Sequence, residues 1–195
     1  METYIKQMKE DYDSILPVSE DLYRSISLFL DLKRRKRGEV LKPSGSVETL
    51  SRYICEGYVG IYYPQKEELH LRYVLSPTDT VFDMHSYLSE EKSLVEIRAL
   101  TDILFFEFPK EAEIQVVSHF PEFAQLGILI NHRIQQRLDR QNAILRMDFK
   151  EGYPAFLQSH PGIEFYLKNW DWASLFQCSL RTVSRVLNSR KGGGS

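Results

Sequence analysis

The chain has 195 residues, of which 43% are hydrophobic and 27% are charged, a composition typical of soluble globular proteins with one or two domains. Its formal net charge of −2 excludes a polycation that coats nucleic acid or membrane, so binding to an acidic partner would need a local basic patch. Cys55 and Cys178 form no CxxC pair, so we expect no disulfide framework and no structural zinc site. No apolar run has the length of a membrane span, so we expect a cytoplasmic protein with no membrane partner.

The first predicted element is a short amphipathic helix within residues 18–32. Ser19 is a candidate N-cap, and apolar residues follow it at helical spacing, namely Leu22, Ile26, Phe29 and Leu30. The basic run KRRKR, residues 33–37, resembles a nucleic-acid patch. Its place between this helix and the first strand favours a solvated turn.

Short runs rich in Val, Ile, Leu, Tyr and Phe fill the segment from Gly38 to Phe108 and are interrupted by Gly and Pro. This pattern predicts about six to eight short antiparallel strands. Because so many strands leave exposed edges unless the sheet closes, we expect a closed roll or sandwich.

After Pro109 the sequence pattern becomes helical. Residues 109–120 predict a short helix, and residues 121–149 predict a long one with Pro121 in its first turn. A narrow stripe, apolar except for one glutamine, runs along the long helix through Leu126, Ile130, Ile134, Leu138, Gln141 and Leu145. The stripe must be buried against the roll or against the same helix of a second subunit, and we favour a homodimer. Residues 152–154, Gly-Tyr-Pro, are expected to break the helix.

The remaining residues form a distinct predicted unit with two short helices, residues 170–176 and 179–188. From residue 160 onward, five basic and two acidic side chains give a local charge of +3, so the near-neutral chain has a basic end. In the second helix Ser179 can act as N-cap, and polar side chains project from the free face, namely Arg181, Thr182, Ser184, Arg185 and Asn188.

A helix that presents Arg, Thr and Ser after a tight turn suits the reading of a DNA major groove. Guanidinium groups bind guanine edges or phosphates, hydroxyls bind phosphates, and the helix N-terminus favours the DNA backbone. The alternative interpretation is an amphipathic helix pair with a solvated charged face. The two helices alone leave both interpretations open.

Residues 173–187 read Ala-Ser-x-x-x-x-Ser-x-x-Thr-Val-Ser-Arg-x-Leu. This pattern resembles the helix-turn-helix of the Crp/Fnr transcription regulators, in which an Arg at the position of Arg185 contacts DNA. Residues 153–175 are similar to the lead-in of a short subgroup of these regulators. Four stretches further upstream resemble the glycine-punctuated strands of the family's cyclic-nucleotide-binding β-roll and follow in the same order. They are residues 36–39, Gly45, residues 54–59 and residues 97–100.

The resemblance covers nearly the whole chain and implies an α+β protein with three parts. These are an antiparallel, jelly-roll-like β-roll as a sensor-like domain (residues 1–120), a long dimerisation helix (residues 121–149) and a helix-turn-helix DNA-binding domain (residues 150–195). The implied function is transcription regulation by a homodimer that binds double-stranded DNA. A small-molecule effector and RNA polymerase are further candidate partners.

The sequence departs from the family members that bind cyclic AMP. Where these have a Gly-Glu pair for the ribose and an Arg for the cyclic phosphate, this chain has Phe82 and Asp83, and then Lys92 and Ser93. Lysine does not reproduce the bidentate fork of arginine, and the two glutamates before Lys92 would repel an anion. We therefore expect Asp83, Lys92 and Ser93 to line a pocket that does not bind cyclic AMP, which leaves another small effector or no ligand.

No cofactor, metal or catalytic residue is predicted. The N-terminal cysteine cluster that holds an iron–sulfur cluster in the redox-sensing branch is missing, and the isolated His70, His85 and His119 give little support to haem. Without GxSxG, P-loop or HExxH motifs, or a close histidine pair for a β-roll enzyme, we expect no enzyme.

Two departures concern the DNA-binding end. Gln177 stands where the family has glycine, at a turn position expected to need a positive φ and to distort the turn. Because only eight residues follow Leu187, we expect no winged hairpin, and the helices must supply the phosphate contacts, with Arg190 and Lys191 as candidates. The final KGGGS is expected to be a flexible tail. A small-ligand-binding β-roll module that has lost DNA recognition remains the alternative.

Overall fold

Two four-stranded antiparallel sheets form the centre of the computed structural model, which describes residues 1–66 and 68–192. The strands are β1 (Asp31–Arg35), β2 (Val40–Lys42), β3 (Leu50–Glu56), β4 (Val59–Gln65), β5 (Glu68–Leu75), β6 (Thr80–Val81), β7 (Glu96–Ala99) and β8 (Ile103–Pro109). The first sheet has the order β1-β8-β3-β6 and the second the order β2-β7-β4-β5. Apolar side chains from both sheets are buried between them, among them Ile54, Ile97 and Phe105. The predicted antiparallel β-roll is confirmed.

The first strand begins at Asp31, earlier than predicted. Lys33, Arg34 and Arg35 pair with β8 within β1, so the prediction of a solvated turn is wrong for three of the five residues in the basic run. β1 lies at the edge of its sheet. Charged side chains are accommodated there because one side of an edge strand carries no partner strand.

Eight α-helices in the described residues surround the roll. They are α1 (Glu2–Asp13), α2 (Glu20–Ser27), α3 (Met84–Ser89), α4 (Lys110–His119), α5 (Pro121–Leu145), α6 (Phe149–Ser159), α7 (Asn169–Leu175) and α8 (Leu180–Gly192). None of these described helices combines the length and apolar character needed to span a bilayer.

The helix predicted within residues 18–32 begins as expected but is shorter. The Ser19 hydroxyl accepts a hydrogen bond from the Leu22 amide at 3.2 Å, which is N-cap geometry. The helix ends at Ser27, and Leu32 already belongs to β1. The helix α1 was not predicted; it buries Met8 and Tyr12 within a segment rich in charged residues.

The helices α1, α2, α4 and the first half of α5 cover the outer face of the β1-β8-β3-β6 sheet. Because side chains alternate along a strand, Leu104, Phe106 and Phe108 point away from the roll interior. They join a cluster with Leu22 of α2 and Leu126 of α5. This cluster fixes the position of the long helix relative to the roll.

The long helix ends four residues before its predicted end at residue 149. Asp148 has an extended backbone, and its carbonyl accepts from the Gly152 amide at 2.8 Å to start α6. Gly152 and Pro154 therefore lie inside α6 and do not break a helix. Pro154 provides no N–H for the carbonyl of Lys150, which instead accepts from Arg190 at 3.5 Å.

The stripe on α5 faces the roll of its own chain. Leu126 has no exposed surface, so its predicted place in a dimer interface is wrong. Ile130, Leu138 and Leu145 pack on three clusters of the same chain, and Ile134 lines a cavity inside the roll. The sequence alone leaves open whether the roll or a second subunit covers this stripe. In the structure the stripe packs against the roll of the same chain and the helices on it.

Candidate nucleic-acid interface and effector site

A tight turn joins α7 to α8. The Gln177 backbone has a φ of +49°, which confirms the predicted positive φ. The Cys178 amide donates to the Ala173 carbonyl at 3.0 Å and the Gln177 amide to the Ser174 carbonyl at 3.3 Å. These bonds close the end of α7 as in a helix C-cap that contains a residue of left-handed backbone conformation. The turn therefore keeps regular hydrogen bonds, and the distortion expected from Gln177 is confined to its own backbone.

The N-terminus of α8 is capped as predicted. The Ser179 hydroxyl accepts from the Thr182 amide at 3.1 Å. Val183 and Val186 are buried against α6 and α7, which orients the opposite face of α8 outward.

The outward face of α8 carries the predicted DNA-binding side chains. Arg181, Arg185 and Asn188 are exposed, whereas Thr182 and Ser184 are half-buried. The Ser184 hydroxyl accepts from Asn169 at 3.3 Å. Within the described part of the chain, neither Arg181 nor Arg185 forms a salt bridge, so both guanidinium groups are available to an anionic partner.

The C-terminal end of α8 contributes less than predicted. Arg190 donates to α6 and its guanidinium lies 5.2 Å from the centre of the Tyr153 ring, which counts against a phosphate contact. α8 extends to Gly192, so no hairpin follows Leu187 within the described residues. The Lys191 side chain and residues 193–195, on which the phosphate-contact and flexible-tail predictions fall, lie outside the described part of the structure.

The helix-turn-helix unit packs directly on the β4-β5 face of the roll. Leu71 and Val74 of β5 share one buried cluster with Phe156 of α6 and Trp172 of α7. The Ser174 hydroxyl donates to the Leu71 carbonyl at 2.9 Å. The predicted unit of residues 150–195 is therefore joined to the roll by a common apolar core.

The predicted effector residues are only partly brought together. Asp83 caps α3, and its carboxylate accepts a hydrogen bond from the Ser93 hydroxyl. The Nζ atom of Lys42 lies 3.4 Å from the same carboxylate and donates to the Val95 carbonyl at 2.8 Å. Lys92 is exposed, so its assignment to the pocket is wrong. The cation beside Asp83 is Lys42, which was not predicted because it lies in β2, about forty residues earlier in the sequence.

The cavity inside the roll has a volume of ≈ 170 Å³, below the roughly 300 Å³ at which typical ligand pockets begin. Asp83, Tyr63, Tyr73 and Ile134 line it, and no arginine or lysine of the described residues does. A cyclic phosphate would meet the Asp83 carboxylate without a guanidinium to bind it. The residues present therefore do not suit a cyclic nucleotide.

Several solved structures of transcription regulators have a similar fold. The c-di-GMP-responsive global regulator CLP of Xanthomonas campestris is similar over 90% of this chain and 93% of its own, with a TM-score of 0.68 and 16% identity. A transcriptional regulator assigned to the Crp/Fnr family, from Eubacterium rectale, has a TM-score of 0.66 and 15% identity over 91% of this chain and 85% of its own. FixK2 of Bradyrhizobium japonicum has a TM-score of 0.67 and 11% identity over 85% and 86%.

This chain has the Crp/Fnr fold. No family model and no curated protein sequence matches it, so the likeness lies in the three-dimensional structure. The resemblance inferred from the short motifs is confirmed at the level of the fold, with a cyclic-nucleotide-binding-like roll and a C-terminal helix-turn-helix.

Reactive groups in this Crp/Fnr fold are few in the described residues. No group of three or more His, Cys, Asp or Glu side chains there could hold a metal ion. Burial raises the pKa of the Cys55 thiol to about 12, so this thiol is a poor nucleophile at neutral pH. His70 packs against Trp170, with 5.6 Å between the ring centres.

Proposed function

We propose that the protein is a homodimeric, cytoplasmic transcription regulator of the Crp/Fnr type that binds specific double-stranded DNA through α8. The observation that carries this proposal is the pair Arg181 and Arg185, exposed one helical turn apart on a helix whose opposite face is buried. Guanidinium forks in this arrangement suit guanine edges and phosphates.

The polar residues of α8 have different roles in this proposal. Arg181, Arg185 and Asn188 are exposed and would read base edges or bind phosphates. Thr182 and Ser184 are already hydrogen-bonded within the chain, so their hydroxyls would add contacts to phosphates at the edge of the interface. Ser179 would act mainly by capping the N-terminus of α8, where the helix dipole favours the DNA backbone.

The proposed dimer uses the face of α5 that points away from the roll. Because the predicted stripe is covered by the chain itself, a partner helix must pack elsewhere. Ala124, Ile128, Gln135 and Ala143 are exposed at helical spacing along one side of α5, and the Ile128 side chain is 69% exposed. Pairing of this face about a twofold axis predicts a palindromic DNA site with half-sites about one helical turn apart.

The roll would then bias the orientation of the two α8 helices, with or without an effector. The small interior volume and the lack of arginine or lysine among the described lining residues disfavour cyclic AMP, so an effector in this cavity would be smaller than a cyclic nucleotide and would not be an anion. Since the helix-turn-helix unit shares a core with β4 and β5, a change in the roll would shift the population of recognition-helix orientations. RNA polymerase is a candidate partner of the DNA-bound dimer.

Selection of bound fragments from random double-stranded DNA tests the proposal. We expect an enriched palindromic motif, and we expect Arg185→Glu to abolish the enrichment while the protein stays folded. Arg24→Glu, on the exposed face of α2, is the matched charge reversal and should leave the motif unchanged. No enriched motif with wild-type protein would instead support a ligand-binding module that has lost DNA recognition.

A further inference from the structure

A second cavity lies outside the roll, between the β1-β8-β3-β6 sheet and the helices that cover it. Its volume is ≈ 130 Å³. Its walls come from α1, α2, α3, α4, α5 and the sheet, and include Met8, Tyr53, Met84, Tyr87, Phe108 and Phe123. It shares Thr80, Phe82 and Met84 with the cavity inside the roll, whereas Met8, Tyr53 and Phe123 line this cavity and not the other.

Tyr53 supplies an unused polar group to this cavity. Its side chain is 3% exposed, and its hydroxyl has no hydrogen-bond partner among the described residues. The other tyrosine hydroxyls of the wall are paired, since Tyr12 bonds Thr80 at 2.9 Å and Tyr87 donates to Glu113 at 2.5 Å. A buried hydroxyl without a hydrogen-bond partner is unfavourable in free energy. A ligand that supplies an acceptor to Tyr53 would remove this penalty.

The wall selects against charged molecules. Glu113 is the one charged side chain among the described lining residues, and it would repel an anion. Burial raises the pKa of the Tyr53 phenol, which keeps the hydroxyl protonated at neutral pH and available as a donor. The ligand should therefore be neutral and carry a hydrogen-bond acceptor.

Size and surface chemistry define the rest of the ligand. An apolar protein cavity of about 150 Å³ admits a molecule the size of benzene, and this cavity is of similar size. Seven phenyl or phenol rings and the polarisable sulfur atoms of Met8 and Met84 line it, and such groups pack well against an aromatic ring.

We propose that this cavity binds a neutral molecule with one aromatic ring and a carbonyl-type acceptor, which receives a hydrogen bond from Tyr53. The ligand would contact Phe123, Gly127 and Ile130 of α5 at the same time as the sheet and α1. The site does not depend on the proposed DNA-binding function, because its occupancy is measured without DNA.

Methyl NMR of protein labelled at the methionine methyl groups tests the site. The chain has four methionines, of which Met8 and Met84 line the cavity while Met1 and Met147 are exposed elsewhere. Titration with acetophenone should shift the Met8 and Met84 signals in a saturable manner and leave the other two in place. Shifts at all four methionines, at none, or at Met84 without Met8 would overturn the proposal, because Met84 also lines the cavity inside the roll.

Two comparisons separate the hydrogen bond from simple apolar binding. We expect Tyr53→Phe to weaken acetophenone binding about tenfold and to leave the isosteric hydrocarbon α-methylstyrene unaffected, since one hydrogen bond is lost. Tyr63→Phe, outside this cavity, is the matched control. Equal acetophenone affinities of Tyr53→Phe and wild type, or equally strong binding of benzoate, would contradict the proposal.

A cavity-filling variant gives an independent readout. A Cβ atom at Gly127 would meet no atom within 4 Å, so larger side chains can be placed at this wall position. Gly127→Leu should abolish the acetophenone shifts of Met8 and Met84, whereas Gly127→Ala should retain most of them. Unchanged binding to Gly127→Leu would place the ligand elsewhere and refute the site.

Discussion

Gln141 of α5 and His160 at the end of α6 meet at one backbone carbonyl of the roll. Gln141 Nε2 donates to the Val74 carbonyl at 2.7 Å, and His160 Nε2 lies 3.2 Å from the same oxygen. The Gln141 side-chain oxygen also accepts from the Val74 amide at 3.1 Å. The roll, the long helix and the helix-turn-helix unit are thus connected at a single buried point.

Stability should fall on mild acidification because of His160. Burial lowers the pKa of this imidazole below its usual 6.5. Hydrogen bonds to the Phe156 and Val74 carbonyls and the charge of Asp79 raise the pKa, but their effect is smaller. Below pH 6.5 the unfolded chain therefore binds more protons than the folded one, so the free energy of unfolding decreases as the pH falls. Urea denaturation at pH 7.5 and pH 5.5 measures this loss.

His160→Asn should lose less unfolding free energy over the same pH interval, because it removes the group whose pKa differs between the folded and the unfolded chain. His132→Asn, an exposed position on α5, should keep the wild-type dependence. An identical pH dependence for His160→Asn and wild type would show that other groups cause it.

Lys42→Met should destabilise the fold by about 3 kcal/mol, since it leaves the buried Asp83 carboxylate without its cation. The Lys42 side chain is 2% exposed and that of Asp83 6%. Lys92→Met serves as control and should change the free energy of unfolding by less than about 0.5 kcal/mol. Similar urea midpoints for the two variants would contradict the pairing.

Gln177→Gly should stabilise the protein by about 1 kcal/mol, because glycine adopts a positive φ without the steric cost of a Cβ atom. Gln177→Ala keeps the Cβ and should bring no gain. Thermal and urea denaturation of both variants check this prediction. A Gln177→Gly variant no more stable than Gln177→Ala would indicate that the turn is not strained at this residue.

Ile128→Asp should convert the proposed dimer into a monomer, because it places a charge in the centre of the outward face of α5. Sedimentation velocity over a range of protein concentrations measures the change. Ile114→Asp on α4, where the wild-type side chain is similarly exposed, should leave the assembly unaltered. A dimer that persists in Ile128→Asp would exclude this face from the interface.

Several elements could be predicted because their causes are local. The Ser19 and Ser179 caps follow from the conformational preferences of a few neighbouring residues, whereas the positive φ at Gln177 is expected only because the family that the sequence resembles has glycine there. The exposed face of α8 follows from helical periodicity around Val183 and Val186. Apolar periodicity sufficed to predict the roll and the long helix, whereas the helix-turn-helix followed from the resemblance of residues 173–187 to the Crp/Fnr regulators.

The tertiary structure alone decided which partner each surface has. Periodicity shows that Leu126 is buried, but whether the roll or a second subunit covers it depends on α1 and α2, which are more than ninety residues away in the sequence. Lys42, rather than Lys92, reaches Asp83 because β2 and α3 meet at the end of the roll. Burial and ion pairing between distant segments arise from the packing of the whole chain, which local sequence preferences do not specify.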